Sequence, residues 1–126
     1  MNNQTPKTTL VVGASENPNR YSNMAMKLLK SYGHPVLALG KQKGEVDGTP
    51  IETLSNCFNN SQIDTITLYL NPQNQVKYYQ ELIDLKPSRV IFNPGTENDE
   101  FEEKLRTNGI ATEEACTLVL LRSGQY

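Results

Sequence analysis

The chain has 126 residues, 37% of them apolar and 21% charged, with a formal net charge of −2. That size and balance fit one domain with a single core and exclude a general nucleic-acid binder. No apolar run approaches a membrane span, and the polar start Met1-Asn2-Asn3-Gln4-Thr5-Pro6-Lys7 lacks the apolar segment of a secretion signal. Cys57 and Cys116 show neither metal-ligand nor disulfide-framework spacing. They are expected as reduced thiols in a cytoplasmic protein whose residues 1–7 are flexible and whose residues 8–126 form one domain.

The first apolar run, Thr9 to Val12, stops at Gly13 and is followed by Ala14-Ser15. This reads as a strand and a tight turn. A helix is expected from Ser22 to Tyr32, with Met24, Ala25, Leu28, Leu29 and Tyr32 on its apolar face; Gly33 and Pro35 end it. Val36 to Leu39 reads as a second strand, wholly apolar and so covered on both faces. Gly40 to Pro50 reads as a polar loop with three glycines, and Glu52 to Phe58 as a short helix. Thr65 to Leu70 is the third predicted strand. Asn71-Pro72 then starts a helix whose apolar face carries Val76, Tyr79, Leu82 and Ile83 and which Pro87 closes. A fourth strand covers Arg89 to Phe92, a helix Asp99 to Thr107, and a short fifth strand begins at Ile110. The apolar tail Cys116 to Leu121 covers the core or a partner subunit, which leaves a homo-oligomer open.

Strands alternating with helices predict an α/β fold. The expected form is a Rossmann-like, doubly wound, parallel five-stranded sheet in three layers with order 3-2-1-4-5. Its switch point then lies between the first and fourth strands. Ligands bind such sheets at the carboxyl ends of the strands beside the switch. The candidate site accordingly gathers Gly13, Ala14, Ser15, Asn17, Asn19, Arg20 and Ser22 with Gly40, Lys41 and Lys43. Leu70 and Asn71, and Asn93, Pro94 and Gly95, complete it.

Charge points to the class of ligand. Residues 1–43 hold six basic side chains and one acid, whereas residues 44–126 hold six and thirteen. A positive field beside a glycine turn at a helix start suits a polyanionic small molecule bound through backbone amides and the helix dipole. The turn is not the three-glycine dinucleotide fingerprint, since no glycine follows Gly13 until Gly33. After the second strand, Gly40-Lys41-Gln42-Lys43 offers no carboxylate before Glu45. An NAD ribose wants an acid there, while lysines suit a ribose phosphate, as in NADP or coenzyme A.

Val11-Val12-Gly13-Ala14-Ser15 and Asn17-Pro18-Asn19-Arg20-Tyr21-Ser22 resemble the V-G-A-S-x-N-P-x-R-x-S start of the CoA-binding domain family. These are small bacterial proteins similar to the N-terminal domain of the succinyl-CoA synthetase α subunit. Gly48-Thr49-Pro50-Ile51 and Cys116 extend the likeness, which covers about residues 8–120. It implies coenzyme A binding, with the Gly13-Ala14-Ser15 turn, Asn17, Arg20 and Ser22 on the phosphates and Gly40 and Lys41 at the adenosine end. Two positions depart from the family. Gly40-Lys41 stands where it usually has Asn-Pro, and Asn93-Pro94-Gly95 where it has a glutamine-containing turn.

No acid–base pair stands out. His34, the sole histidine, falls at the amino end of the second strand, away from the expected site. Glu113 and Glu114 near Cys116 read either as chemistry or as a solvated pair beside a buried thiol, and a negative neighbour blunts a thiol. The sequence therefore favours a non-catalytic CoA or acyl-CoA binding protein, with no metal, nucleic acid or membrane partner. The alternatives are a small NADP- or acyl-CoA-dependent enzyme and a vestigial site acting through protein contacts.

Overall fold

A computed structural model describes residues 5–126. The expected flexible start falls partly on residues 1–4, which lie outside the described residues. The chain runs β1 (Thr9–Val12), α1 (Tyr21–Ser31), β2 (Val36–Leu39), β3 (Gly44–Val46), β4 (Thr49–Glu52), a 3₁₀ turn (Ser55–Phe58) and β5 (Thr65–Leu68). It continues through α2 (Pro72–Gln75), a 3₁₀ turn (Val76–Tyr78), α3 (Tyr79–Asp84), β6 (Arg89–Phe92), α4 (Asp99–Thr107), β7 (Ala111–Glu114) and α5 (Thr117–Arg122). No helix of the described residues is long and apolar enough to cross a membrane.

The sheet has seven strands rather than five, in the order β3-β4-β2-β1-β5-β6-β7. The two additional strands lie in the segment expected as a loop. Asp47 (φ 48°) and Gly48 (φ 84°) both adopt left-handed backbone and turn β3 back on β4, the conformation that a tight hairpin twisted with its strands requires. β4 then pairs parallel with β2, Ala38 opposite Ile51. The expected order is corrected accordingly. Thr65–Leu68, expected beside β2, pairs instead with β1, Leu10 opposite Ile66. β4 takes the place beside β2, and the switch point moves to lie between β1 and β5. The six parallel strands keep the doubly wound arrangement, with β3 as an antiparallel edge.

Several boundaries shift too. The helix expected from Glu52 survives only as the 3₁₀ turn, because Glu52 ends β4; of its apolar positions Phe58 is buried while Leu54 is 62% exposed. The strand expected to reach Leu70 ends at Leu68, and the following helix is broken at Val76, which is 55% exposed. On α1, Met26 is buried in place of Met24.

Alternate side chains of the strands feed two cores. Leu10, Val12, Ile66, Leu68, Val90 and Phe92 meet Leu82, Phe101 and Leu105 of α3 and α4. Val11, Ala38 and Ile91 meet Met26 and Leu29 of α1 and Leu120 and Leu121 of α5. The apolar tail is thus α5, packed on the sheet, with Val119 exposed. Aromatic contacts knit the first core: Phe101 stacks on Tyr79 and meets Phe92 edge-on.

Two buried ionisable groups sit outside these cores. His34 is 1% exposed against the Tyr126 ring; its Nδ1 accepts from the Lys7 amide (2.9 Å) and its Nε2 has no partner among the described residues. Burial above all, then the charges of Lys7 and Arg89, hold its pKa below the ordinary value, with Asp64 opposing. The unfolded chain therefore takes up this proton before the folded one does. Stability from His34 is present above about pH 6.5 and is lost as pH falls below it. Glu102 behaves in the opposite sense. Burial, then the adjoining Glu114 carboxyl, push its pKa up to about 7, while Arg106 pulls it down. Its stabilising contribution is present at low pH and is lost as pH rises through about 7.

We expect His34→Gln to flatten the loss of stability on acidification, measured by denaturant melts at about pH 7 and pH 5. A slope equal to that of the native chain would show that folding leaves the proton affinity of His34 unchanged. Glu102→Gln is expected to raise the melting temperature above neutral pH, an advantage that shrinks toward pH 4.5. A destabilised variant at alkaline pH would mean that the charged form is the stabilising one.

Candidate functional site

A cleft of about 790 Å³ opens at the carboxyl ends of β1, β2, β5 and β6, over the switch point. Its first wall is the β1–α1 loop. Gly13 turns the chain with φ +95°, and a Cβ there would come within 3.1 Å of the Tyr69 backbone, so only glycine passes. The Gly13 and Ala14 amides both donate to the Leu39 oxygen (2.9 and 3.0 Å). These two groups were the natural first candidates for an anion. They are instead consumed by the last carbonyl of β2.

Of the donors that follow, the Asn17, Asn19 and Arg20 amides are engaged within the loop. Ser15 Oγ accepts from the Asn17 amide (3.1 Å), and Asn17 Oδ1 accepts from the Asn19 amide (3.0 Å), so short polar turns carry the chain to α1. Arg20 is the N-cap of α1 without a side-chain cap bond, and no acid stands in the first turn. The amides of Ser15, Tyr21 and Ser22 find no acceptor among the described residues. A helix start left this way carries partial positive charge and needs an acceptor. Asn23, 2% exposed, braces it by donating to the Ser15 oxygen (3.0 Å).

The second wall follows β2. Gly40 is a packing glycine: a Cβ would lie 2.5 Å from the Ala14 oxygen and 2.9 Å from Ile51 Cγ2. It faces a small cavity of about 20 Å³ that adjoins the cleft, walled by Val12, Leu39, Leu70, Lys77 and Tyr78. Lys41 lines both spaces, and Gln42 and Lys43 line the cleft. The lining holds three cations, Arg20, Lys41 and Lys43, and one carboxylate, Glu16. Glu16 is already engaged: its Oε2 accepts from the Glu45 amide (2.9 Å) and its side chain packs on Gly44, tying the loop to β3. Three cations against one carboxylate leave the charge balance of the cleft positive.

The third wall joins the ends of β5 and β6: Tyr69, Leu70, Asn71 and Asn74 against Pro94, Gly95 and Thr96. Asn71 caps α2, its Oδ1 accepting from the Asn74 amide (3.0 Å). Burial, first, pushes the Tyr69 hydroxyl up to about 12, against the neighbouring hydroxyls of Thr117 and Thr67, so it stays protonated at neutral pH. Asn93 turns inward. It donates to Thr67 Oγ1 (2.7 Å) and the Leu68 oxygen (2.8 Å) and accepts from the Thr117 amide (2.9 Å), joining β5, β6 and α5 beneath the cleft.

The structure thus gathers Gly13, Ala14, Ser15, Asn17, Arg20, Ser22, Lys41, Lys43, Leu70, Asn71, Pro94 and Gly95 around one space. Gly40 reaches only its side cavity, and Asn19 and Asn93 are outside the lining. Glu16, Tyr21 and Gln42 line it too, within the expected spans Gly13 to Ser22 and Gly40 to Lys43, whereas Ile51, Tyr69, Asn74 and Thr96 join it unexpected. Ile51 needed the hairpin to be seen, and Asn74 follows from the cap at Asn71.

Comparison with known proteins bears on the fold and the family. None of the curated proteins matches the chain. Among solved structures, the crystal structure of an uncharacterized protein shares 46% identity and a TM-score of 0.88, over 98% of this chain and all of the other. A hypothetical protein from Pyrococcus horikoshii OT3 is 24% identical with a TM-score of 0.85, over 94% of this chain and 83% of its own. The dinucleotide-forming acetyl-coenzyme A synthetase 1 of Ca. Korarchaeum cryptofilum, in complex with phosphate and ADP, matches 86% of this chain at 18% identity and a TM-score of 0.68. That match takes up only 25% of the synthetase, and at such identity it shows a shared fold. The model of the CoA binding domain matches residues 7–122, nearly the whole chain, and the protein belongs to that family.

Proposed function

We propose that the protein binds coenzyme A or an acyl-CoA without transforming it, with the diphosphate at the start of α1. The observation that carries this is the uncapped first turn of α1, opening into a cleft whose charge balance is positive. A diphosphate supplies the acceptors that Ser15, Tyr21 and Ser22 lack. Arg20 adds a charge-assisted bond, and Lys41 and Lys43, in the same lining, offer charge to the ribose phosphate of CoA. The family match supports CoA as the nucleotide. The match to a quarter of the archaeal synthetase supports a binding module, since this chain corresponds to one portion of that larger protein. Two free thiols, Cys57 and Cys116, fit a reducing compartment such as the cytoplasm.

An NADP-linked enzyme is the competing reading, because the same lysines suit its ribose phosphate. Isothermal titration with CoA, NADP and NAD separates the two. CoA is expected to bind tightest; NADP binding more tightly than CoA overturns the proposal. Arg20→Ala is expected to weaken CoA by roughly 1–3 kcal/mol, and Ser15→Arg to block it. Normal affinity in Ser15→Arg would place the phosphates elsewhere. Lys41→Ala should narrow the gap between CoA and its 3′-dephospho form, and an unchanged gap would remove Lys41 from that phosphate.

A further inference from the structure

The third wall of the cleft is made of two loops from different strands, and one side chain holds both. Gln75 is fully buried at the end of α2. Its Nε2 donates to the Leu70 oxygen (2.9 Å) and to the Thr96 oxygen (2.8 Å), and its Oε1 accepts from Asn98 Nδ2 (2.9 Å). Two carbonyls can only be met by the NH₂ end of the amide, so the orientation is dictated by its partners. Leu70 and Thr96 both line the cleft. Asn98 completes the arrangement by donating also to the Tyr79 hydroxyl (2.8 Å) while its Oδ1 caps α4 at Phe101.

We propose that Gln75 is the positioning residue of the cleft. It sets the separation of the β5 and β6 loops and ties inward two carbonyl oxygens that would otherwise be free to present their negative ends to the ligand. The effect on affinity rests on the CoA reading above; the clamping of the loops does not. A buried donor pair removed from two carbonyls leaves both unsatisfied, so the loops must move or admit water. The short α2 adds little rigidity of its own, since four residues hold little helix.

The test uses Gln75→Met, which keeps length and apolar bulk but cannot donate. A second variant, Asn98→Ser, keeps a capping hydroxyl for α4 yet releases Gln75 Oε1. Hydrogen exchange is followed in peptides covering residues 69–76 and 93–98, and CoA affinity is measured at a temperature where the variants are folded. Gln75→Met is expected to speed exchange in both loops, to leave the strands β1 and β2 as protected as before, and to weaken CoA about tenfold. Asn98→Ser should move both readouts the same way by less, and it decides the matter if Gln75→Met does not fold. Unchanged exchange in both loops overturns the clamp. Loosened loops with unchanged CoA affinity overturn the positioning role. If the native chain binds no CoA, the functional reading fails, and the exchange data alone decide whether Gln75 holds the loops.

Discussion

A helix that begins without a capping side chain leaves amide hydrogens in want of an acceptor, and α1 begins in this way. The first amides after β1 are not part of that deficit, because the Leu39 oxygen takes both Gly13 and Ala14. The bonding has a simple origin. β2 ends at Leu39, whose carbonyl has no further ladder partner on β1 and so collects what the turn offers. The anion-seeking group is thereby moved along the chain to Ser15 and the first turn of α1, whose N-cap is Arg20.

The rest of the architecture serves that junction. Gly40 lets β2 pass within contact of the Ala14 carbonyl, and the hairpin β3–β4 brings Glu45 to the Glu16 carboxylate. This second contact does two things at once. It fastens the loop, and it holds the one carboxylate of the lining, outnumbered by three cations, on the Glu45 amide. On the opposite side, Asn93 and Gln75 tie the ends of β5 and β6 to their neighbours through buried side-chain bonds. Unpaired, each of those buried groups would cost about 1–3 kcal/mol, so the wall is held by the same interactions that stabilise the fold.

Much of this was legible in the residues. β1, β2, β6 and α4 occupy the expected spans, since apolar runs bounded by turn residues and a clean helical period leave little choice. The hairpin is hidden in the sequence because Pro50 and three glycines suggest a loop, although Asp47-Gly48 is itself a hairpin signal. Without β4 the flank of β2 is open, and Thr65–Leu68 is the next strand available to fill it; with β4 there, that strand pairs with β1. Met24 and Met26 could not be ranked by period alone, as both lie near the edge of the apolar stripe. At the site, residue types revealed the cationic, hydroxyl-bearing cleft. They did not reveal that Asn93 points into the core or that Gln75 spans two loops, since both depend on contacts between segments far apart in the chain.

The central claim is that an anion completes the first turn of α1. Backbone amide NMR during titration with coenzyme A reads those groups directly. The amide protons of Ser15, Tyr21 and Ser22 are expected to move downfield as hydrogen bonds to phosphate form, while those of Gly13 and Ala14, already bonded to Leu39, change least. Saturable shifts confined to other residues, with Tyr21 and Ser22 unmoved, would contradict it.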